Sequence, residues 1–325
     1  MRAVWLRAFG APTELRAEDT PEPVPGPGTA LVDVAYANIT FVETQVRTGT
    51  GPFRPTLPTI PGNGVGGVVR AVGDGVDPAL IGTRVVGSTG GSGGYAEVAL
   101  VPLDVLYPVP DALALDAAVA VLADGRTASL LVEAAAIRPG ERVLVEAAAG
   151  GVGTLLVQLA KAAGARVIAL AGGSRKTGLA RSLGADQAID YRDPAWPGRL
   201  GGPVDVVFDG VGGATGRTAF EQLRSPGGRI LTYGLASGEW TSVTEDEAAA
   251  RGVTIIRPTA GPEDMRRLTQ SALRAAADGT LRPIIGQRYP LDRADAAHAA
   301  IAERRTVGKT LLVVAGDGPE GNLAS

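Results

Sequence analysis

The stretch ERVLVEAAAGGVGTLLVQLAKAAGARVIALAGGSRK, Glu141 to Lys176, decides how this chain folds. Its opening, Arg142 to Glu146, is a short apolar, β-branched run with the pattern of a strand buried in a parallel sheet. Small residues follow: Ala147, Ala148, Ala149, Gly150, Gly151, Val152 and Gly153. Val152, Leu155, Leu156, Leu159, Ala160 and Ala163 then recur at helical spacing on one face. Gly164 is placed to end that helix, and Arg166 to Leu170 reads as a second strand. Strand, glycine turn, helix and strand make the βαβ unit that receives a pyrophosphate. Unpaired amides and the helix dipole face the anion there, and a Cβ on the turn would block its approach. Gly150, Gly151, Val152 and Gly153 are therefore the candidate pyrophosphate turn. Their run departs from the strict G-x-G-x-x-G, and a tight turn with no ligand is the competing reading, so the residues further on have to decide.

About twenty residues beyond the turn, dinucleotide sites that take NAD place a carboxylate on the ribose hydroxyls. Here Gly172-Gly173-Ser174-Arg175-Lys176 occupies that place, and no acid occurs between Gly164 and Lys176. A hydroxyl and two cations suit a 2′-phosphate, which makes NADP(H) the expected cofactor and Ser174, Arg175 and Lys176 its candidate ligands. An exposed first helical turn is the plainer reading of the two cations. It is weakened because the chain has only three lysines, and one of them stands here.

The rest of the composition removes alternatives. Zero cysteines leave no disulfide framework, thiolate nucleophile or Cys-ligated zinc, and a single histidine, His298, leaves no His-rich metal site. No G-x-S-x-G elbow accompanies that histidine, so a Ser-His-Asp hydrolase is not indicated either. A net charge of −3 gives no reason to expect nucleic acid or an anionic membrane as partner. No run reaches the ~18 apolar residues of a membrane span, and Met1-Arg2-Ala3 leads into a strand rather than a signal peptide. The cytoplasm is the expected compartment. At 325 residues, about two domains are expected.

The first hundred or so residues read as β-rich, with strands at Ala3 to Leu6 and Ala30 to Tyr36 and a short helix at Phe41 to Arg47. Valines among glycines from Gly62 to Gly73 suggest a bent strand closely approached by other backbone. Alanine-rich helix begins at Leu115. Strands then alternate with helices: Asp186 to Tyr191, Val204 to Phe208, Arg229 to Tyr233 and Val253 to Ile256. Gly210 and Val211 follow the Val204 strand at its carboxyl end, where open α/β sheets bind ligands, and are candidate cofactor contacts. Pro262 to Asp278 and Asp292 to Arg305 read as helices, Val307 to Val314 as a last strand, and the chain beyond Ala315 as frayed.

Taken together, IPGNGVGGVVRAVGDGV (Ile60 to Val76), IRPGERVLVEAAAGGVG (Ile137 to Gly153), LGADQAIDYR (Leu183 to Arg192), DVVFDGVGG (Asp205 to Gly213) and VGKTLLVV (Val307 to Val314) resemble the zinc-free, zeta-crystallin-like quinone oxidoreductases of the medium-chain dehydrogenase/reductase superfamily. Order and spacing over nearly the whole chain carry the resemblance. It implies an α/β protein: a doubly wound Rossmann sheet, residues 119–260, inserted in a β-rich GroES-like barrel made from residues 1–118 and 261–325. It also implies NADPH, a quinone or α,β-unsaturated carbonyl as small-molecule substrate, and a homodimer. Thr127, Gly234 and Lys309 match positions on the nicotinamide side, and Tyr191 a position at the 2′-phosphate. A helix residue, a strand-end aromatic and a surface cation are the plainer readings of Thr127, Tyr191 and Lys309.

Two departures from the resemblance bear on chemistry. Zinc enzymes of the superfamily carry His-Glu where Asn63-Gly64 stand here, so no catalytic zinc is expected. Relatives read N-F-x-D-T-Y, with the Asn polarising a substrate carbonyl, where this chain has Thr40-Phe41-Val42-Glu43-Thr44-Gln45. Thr40, Asn38 and Gln45 are the candidate carbonyl donors, and Tyr36 and Tyr95 are candidate proton donors that read equally as packed aromatics. His298 reads as structural, and Arg257 and Arg305 as solvated surface. Two rival functions stay open: an enoyl-thioester reductase of the same superfamily, and a non-catalytic NADPH-binding protein.

Overall fold

Glycine placement and strand pairing build the N-terminal part of the fold. In this computed structural model, which describes residues 1–314, β1 (Arg2–Leu6) and β2 (Leu15–Asp19) pair antiparallel. The expectation that the chain frays beyond Ala315 lies outside the described residues. β3 (Thr29–Ile39) is followed by α1 (Phe41–Thr48), β4 (Gly64–Val72), β5 (Arg84–Ser88), β6 (Val98–Pro102) and β7 (Leu106–Pro108). β3 is the hub, pairing antiparallel with β4 on one side and with β6 at its start. The glycines of β4 explain how the strands close on one another: a Cβ on Gly67 would lie 1.8 Å from the Asp33 carbonyl oxygen. The bent, closely approached strand read from the sequence is this one.

The chain divides into two compact units, Met1–Ala123 with Thr269–Ser325, and Asp124–Leu268. The first boundary falls within α2 (Leu115–Ala135), the alanine-rich helix. The second unit then runs β8 (Arg142–Val145), α3 (Gly151–Ala162), β9 (Arg166–Ala171), α4 (Ser174–Ser182), β10 (Gln187–Asp190), β11 (Val206–Asp209), α5 (Gly213–Glu221), β12 (Arg229–Thr232), α6 (Glu245–Ala250) and β13 (Thr254–Ile256). Its strands form one parallel sheet in the order β10-β9-β8-β11-β12-β13. Counted from β8 this is 3-2-1-4-5-6, the doubly wound arrangement, and the order reverses between β8 and β11. At the centre of this sheet, β8 has Val143, Leu144 and Val145 all at 0 % exposure. Each such side chain stabilises the unit by roughly 1.5–3 kcal/mol. Leu155, Leu156 and Ala160 of the expected α3 face are buried with Val157, while Val152, Leu159 and Ala163 are half-buried.

The chain closes through α7 (Pro262–Ala277), β14 (Ile285–Pro290), α8 (Ala294–Ala302) and β15 (Lys309–Val313). β15 pairs with β3 over Tyr36 to Ile39, giving the first unit a sheet ordered β14-β15-β3-β4-β5-β7. The C-terminal segment thus completes the N-terminal unit. One core of that unit gathers Val4, Leu6, Val32, Val65, Val85 and Leu312.

Candidate active site

The candidate nucleotide-binding residues lie at the carboxyl ends of the second unit's strands. After β8 the chain turns at Ala147, a non-glycine residue with φ 47°, and the Gly150 amide donates back to its carbonyl at 2.8 Å. Gly150 caps α3 with no side-chain hydrogen bond. The amides of Gly151, Val152 and Gly153, first in the helix, have no intrahelical acceptor by the geometry of any helix start. Side chains are excluded here: a Cβ on Gly153 would sit 2.2 Å from the Ala147 oxygen, and one on Gly151 would sit 2.0 Å from Asp124 Oδ2. A bare main-chain cradle with free N–H groups fits a pyrophosphate.

The next helix start carries the residues expected at the 2′-phosphate. Gly173, φ 91°, caps α4, whose first turn presents Ser174 and Arg175 exposed and Lys176 half-buried. β10 returns Tyr191 and Arg192 to the same place. A Cβ on Gly172 would lie 3.2 Å from Tyr191 Oη, and one on Gly173 would lie 2.8 Å from Arg192 Nη2. The structure thus brings Tyr191 to the glycine pair that opens the helix of Ser174, Arg175 and Lys176, and adds Arg192, which the sequence reading passed over. Arg192 donates to both oxygens of Asp190, Nε at 2.9 Å and Nη2 at 2.6 Å. That guanidinium holds the Asp190 carboxyl well below the usual range. The available signal was the Asp190-Tyr191-Arg192 run at a strand end.

At the point where strand order reverses, two acids are fully enclosed. Glu146, directly after β8, and Asp209, ending β11, are each 0 % exposed. Gly210 and Val211 follow Asp209 and are buried, and the end of β12 passes so near that a Cβ on Gly234 would be 2.8 Å from the Gly210 oxygen. The Tyr233 hydroxyl donates to the Glu146 carbonyl at 2.7 Å. Thr127 lies half-buried on α2.

The polar residues of the first unit gather around α1. Thr40 caps this helix and its amide donates to the Glu43 carboxylate, while the Asn63 amide donates to Glu43 Oε1 at 2.9 Å. Burial raises the Glu43 carboxyl above its ordinary value, against the pull of those amides and of the Lys309 ammonium. Lys309 itself is 4 % exposed. Asn63, at the place of the zinc enzymes' His, accepts from Ser88 Oγ at 2.6 Å and the Gly91 amide at 2.8 Å, which makes it a loop fastener. Asn38 is 1 % exposed, and neither Oδ1 nor Nδ2 has a hydrogen-bond partner. Gln45 is half-buried on α1.

Of the other candidates, Tyr95 is sealed in the core, Tyr36 is half-buried, and Arg257 and Arg305 form exposed ion pairs with Glu245 and Glu303. Among the described residues, no group of three or more His, Asp or Glu side chains could hold a metal ion.

Comparison with known proteins agrees with this arrangement. Residues 26–111 match the alcohol dehydrogenase GroES-like domain and residues 183–312 the zinc-binding dehydrogenase model. A quinone oxidoreductase of Pseudomonas aeruginosa is 33 % identical over 324 residues, covering 96 % of this chain and 99 % of its own. Among solved structures, the Escherichia coli quinone oxidoreductase complexed with NADPH superposes with a TM-score of 0.89 at 30 % identity, covering 97 % of this chain and 100 % of the other. A mycobacterial protein complexed with NADPH gives 0.88 at 34 % identity, with the same coverage.

Proposed function

Since the chain belongs to the quinone oxidoreductase family of the medium-chain dehydrogenase/reductase superfamily and is an oxidoreductase, we propose that it reduces a quinone or an α,β-unsaturated carbonyl with NADPH, without zinc. The observation that carries the cofactor is the bare Ala147 to Gly153 turn, where added Cβ atoms would collide with protein oxygens, together with the cationic edge at Lys176 and Arg192. When bound, NADPH supplies the hydride, and the protein's part is to bind, orient and exclude water. Gly150 to Gly153 would hold the pyrophosphate on main-chain amides. Ser174, Arg175, Lys176, Tyr191 and Arg192 would hold the 2′-phosphate, with Thr127, Gly210, Val211 and Gly234 nearer the nicotinamide.

Asn38 is the best-supported donor to the substrate carbonyl. Its amide N–H groups are buried without an acceptor, and a donor with spare capacity is worth most where negative charge develops on an enclosed oxygen. Thr40 is bound to the helix cap and Gln45 is the more open alternative. The absence of cysteine from the sequence and the loop-fastening use of Asn63 support chemistry without zinc. A homodimer accords with the family resemblance. The test is an NADPH-oxidation screen over quinones, enones and enoyl thioesters. Turnover of quinones or enones at micromolar concentrations is expected; exclusive turnover of enoyl thioesters, or of none, would overturn the substrate assignment.

A further inference from the structure

The second unit carries a feature that hydride transfer does not require: two carboxyl groups, both out of contact with water, aimed at one backbone amide. The Val211 N–H lies 3.1 Å from Glu146 Oε2 and 3.2 Å from Asp209 Oδ1. Asp209 is otherwise well provided, since Oδ1 also accepts from the Gly212 amide at 2.7 Å and Oδ2 from the Thr241 hydroxyl at 2.5 Å. Glu146 is not: its Oε1 is buried with no partner. Glu146 faces Asp209 and the Gly210 and Val211 amides on the β11 side, and the Tyr233 phenol after β12 lies in the field of Glu146, Asp209 and Asp124 of α2. Neither Glu146 nor Asp209 takes part in an ion pair among the described residues.

Two ionised carboxylates converging on one donor in a dry site repel each other, and an unpaired anionic oxygen there costs several kcal/mol. One proton resolves both problems. As an acid, Glu146 can donate through an oxygen that now has no partner, whereas Asp209 is already held by three donors. We propose that Glu146 is a neutral carboxylic acid at physiological pH, sharing its proton with Asp209, and that this pair is a positioning device that holds the 209–212 loop against the pyrophosphate turn. The assignment rests on the nucleotide-site reading above, since Glu146 leads directly into that turn and Val211 is a candidate cofactor contact. Burial first, and Asp209 second, push the Glu146 carboxyl well above its ordinary value. Nearby, the same arrangement spares the phosphates of a bound dinucleotide a second buried negative charge.

The experiment separates this pair from the cofactor reading, because its first arm uses the cofactor-free protein. Infrared spectra of the full chain in D2O at pD 7.5 should show the carbonyl stretch of a protonated carboxylic acid. That band should vanish in Glu146→Gln and shift in frequency in Asp209→Asn, where the carboxylate that shares the proton is replaced while burial still keeps Glu146 neutral. Glu43 is also buried with a raised value, so assignment rests on these two variants. The second arm is NADPH affinity against pH by cofactor fluorescence. Wild type should lose affinity about tenfold as the pair ionises on the alkaline side, and Glu146→Gln, which cannot ionise, should lack that limb. A wild-type spectrum without the band, or a spectrum that Glu146→Gln leaves unchanged in that region, would overturn the proposal whatever the NADPH result. Absence of NADPH binding with the band present would instead overturn the cofactor reading.

Discussion

Tyr95 and His298 meet edge to face in the core of the first unit, the phenol oxygen 3.0 Å from imidazole Nε2 and the ring centroids 5.7 Å apart, although 203 residues separate them in sequence. Both are 0 % exposed. The pair joins the C-terminal segment to the N-terminal sheet, and the protein's one histidine serves packing.

Acid lability follows from that burial. Desolvation, and then the Arg47 charge, lower the imidazole from 6.5 to about 3 in the folded state. The folded protein therefore refuses a proton that the unfolded chain accepts. The contribution is complete above pH 6.5 and is lost as pH falls toward 3, at up to about 1.4 kcal/mol per unit. Denaturation at pH 7.5 and 5 should show this loss, and the single imidazole resonance should stay unshifted between those values. An imidazole titrating near 6.5 would refute the buried neutral assignment.

Cofactor preference should follow the cationic edge of α4. Lys176→Ala should raise the KM for NADPH about tenfold or more while leaving that for NADH within twofold, because only the former carries the 2′-phosphate. Arg192→Ala should act in the same direction but less, since Arg192 is already bound to Asp190. Steady-state kinetics with both cofactors decide it. Equal effects on NADH would place these residues elsewhere in function.

What the sequence made legible was whatever local pattern encodes. The Arg142 to Gly153 run located β8 and the cradle because strand, small-residue turn and helix are contiguous there. The 3.6 period and terminal glycines likewise located α3 and α7. Contacts made only by folding were hidden. Glu146 read only as the end of a strand until β11 carried Asp209 to the same amide, and Arg192 drew no reading because only folding returns it to Gly173. Asn38 stood at the wrong spacing for the expected donor, yet it is the amide that folding leaves without partners.

Two glycines to alanine should move stability in opposite directions. At Gly67 a Cβ would enter within 1.8 Å of the Asp33 backbone oxygen, so Gly67→Ala must push β3 and β4 apart and should cost about 2–4 kcal/mol, or prevent folding. Gly178 lies inside α4 with nothing within 4 Å of its added Cβ. Gly178→Ala should therefore stabilise by about 0.5–1 kcal/mol through helix propensity. Thermal melts of the two variants against wild type would show the divergence.

Asn38 allows stability and catalysis to be pulled apart. A buried amide that makes no hydrogen bond gives nothing to the fold in return for its desolvation, so Asn38→Leu, apolar and of similar size, should leave the melting temperature unchanged or raise it. The same substitution removes the donor assigned to the substrate oxygen and should lower kcat/KM by about 10²–10³ with NADPH affinity retained. A structural asparagine would give the reverse: a lower melting temperature with turnover intact. Gly64 sharpens the comparison, since a Cβ there would lie 2.3 Å from Asn38 Nδ2, and Gly64→Ala should disturb the amide's position without removing it. If Asn38 orients the acceptor, Gly64→Ala should reduce kcat while the KM for NADPH stays close to wild type.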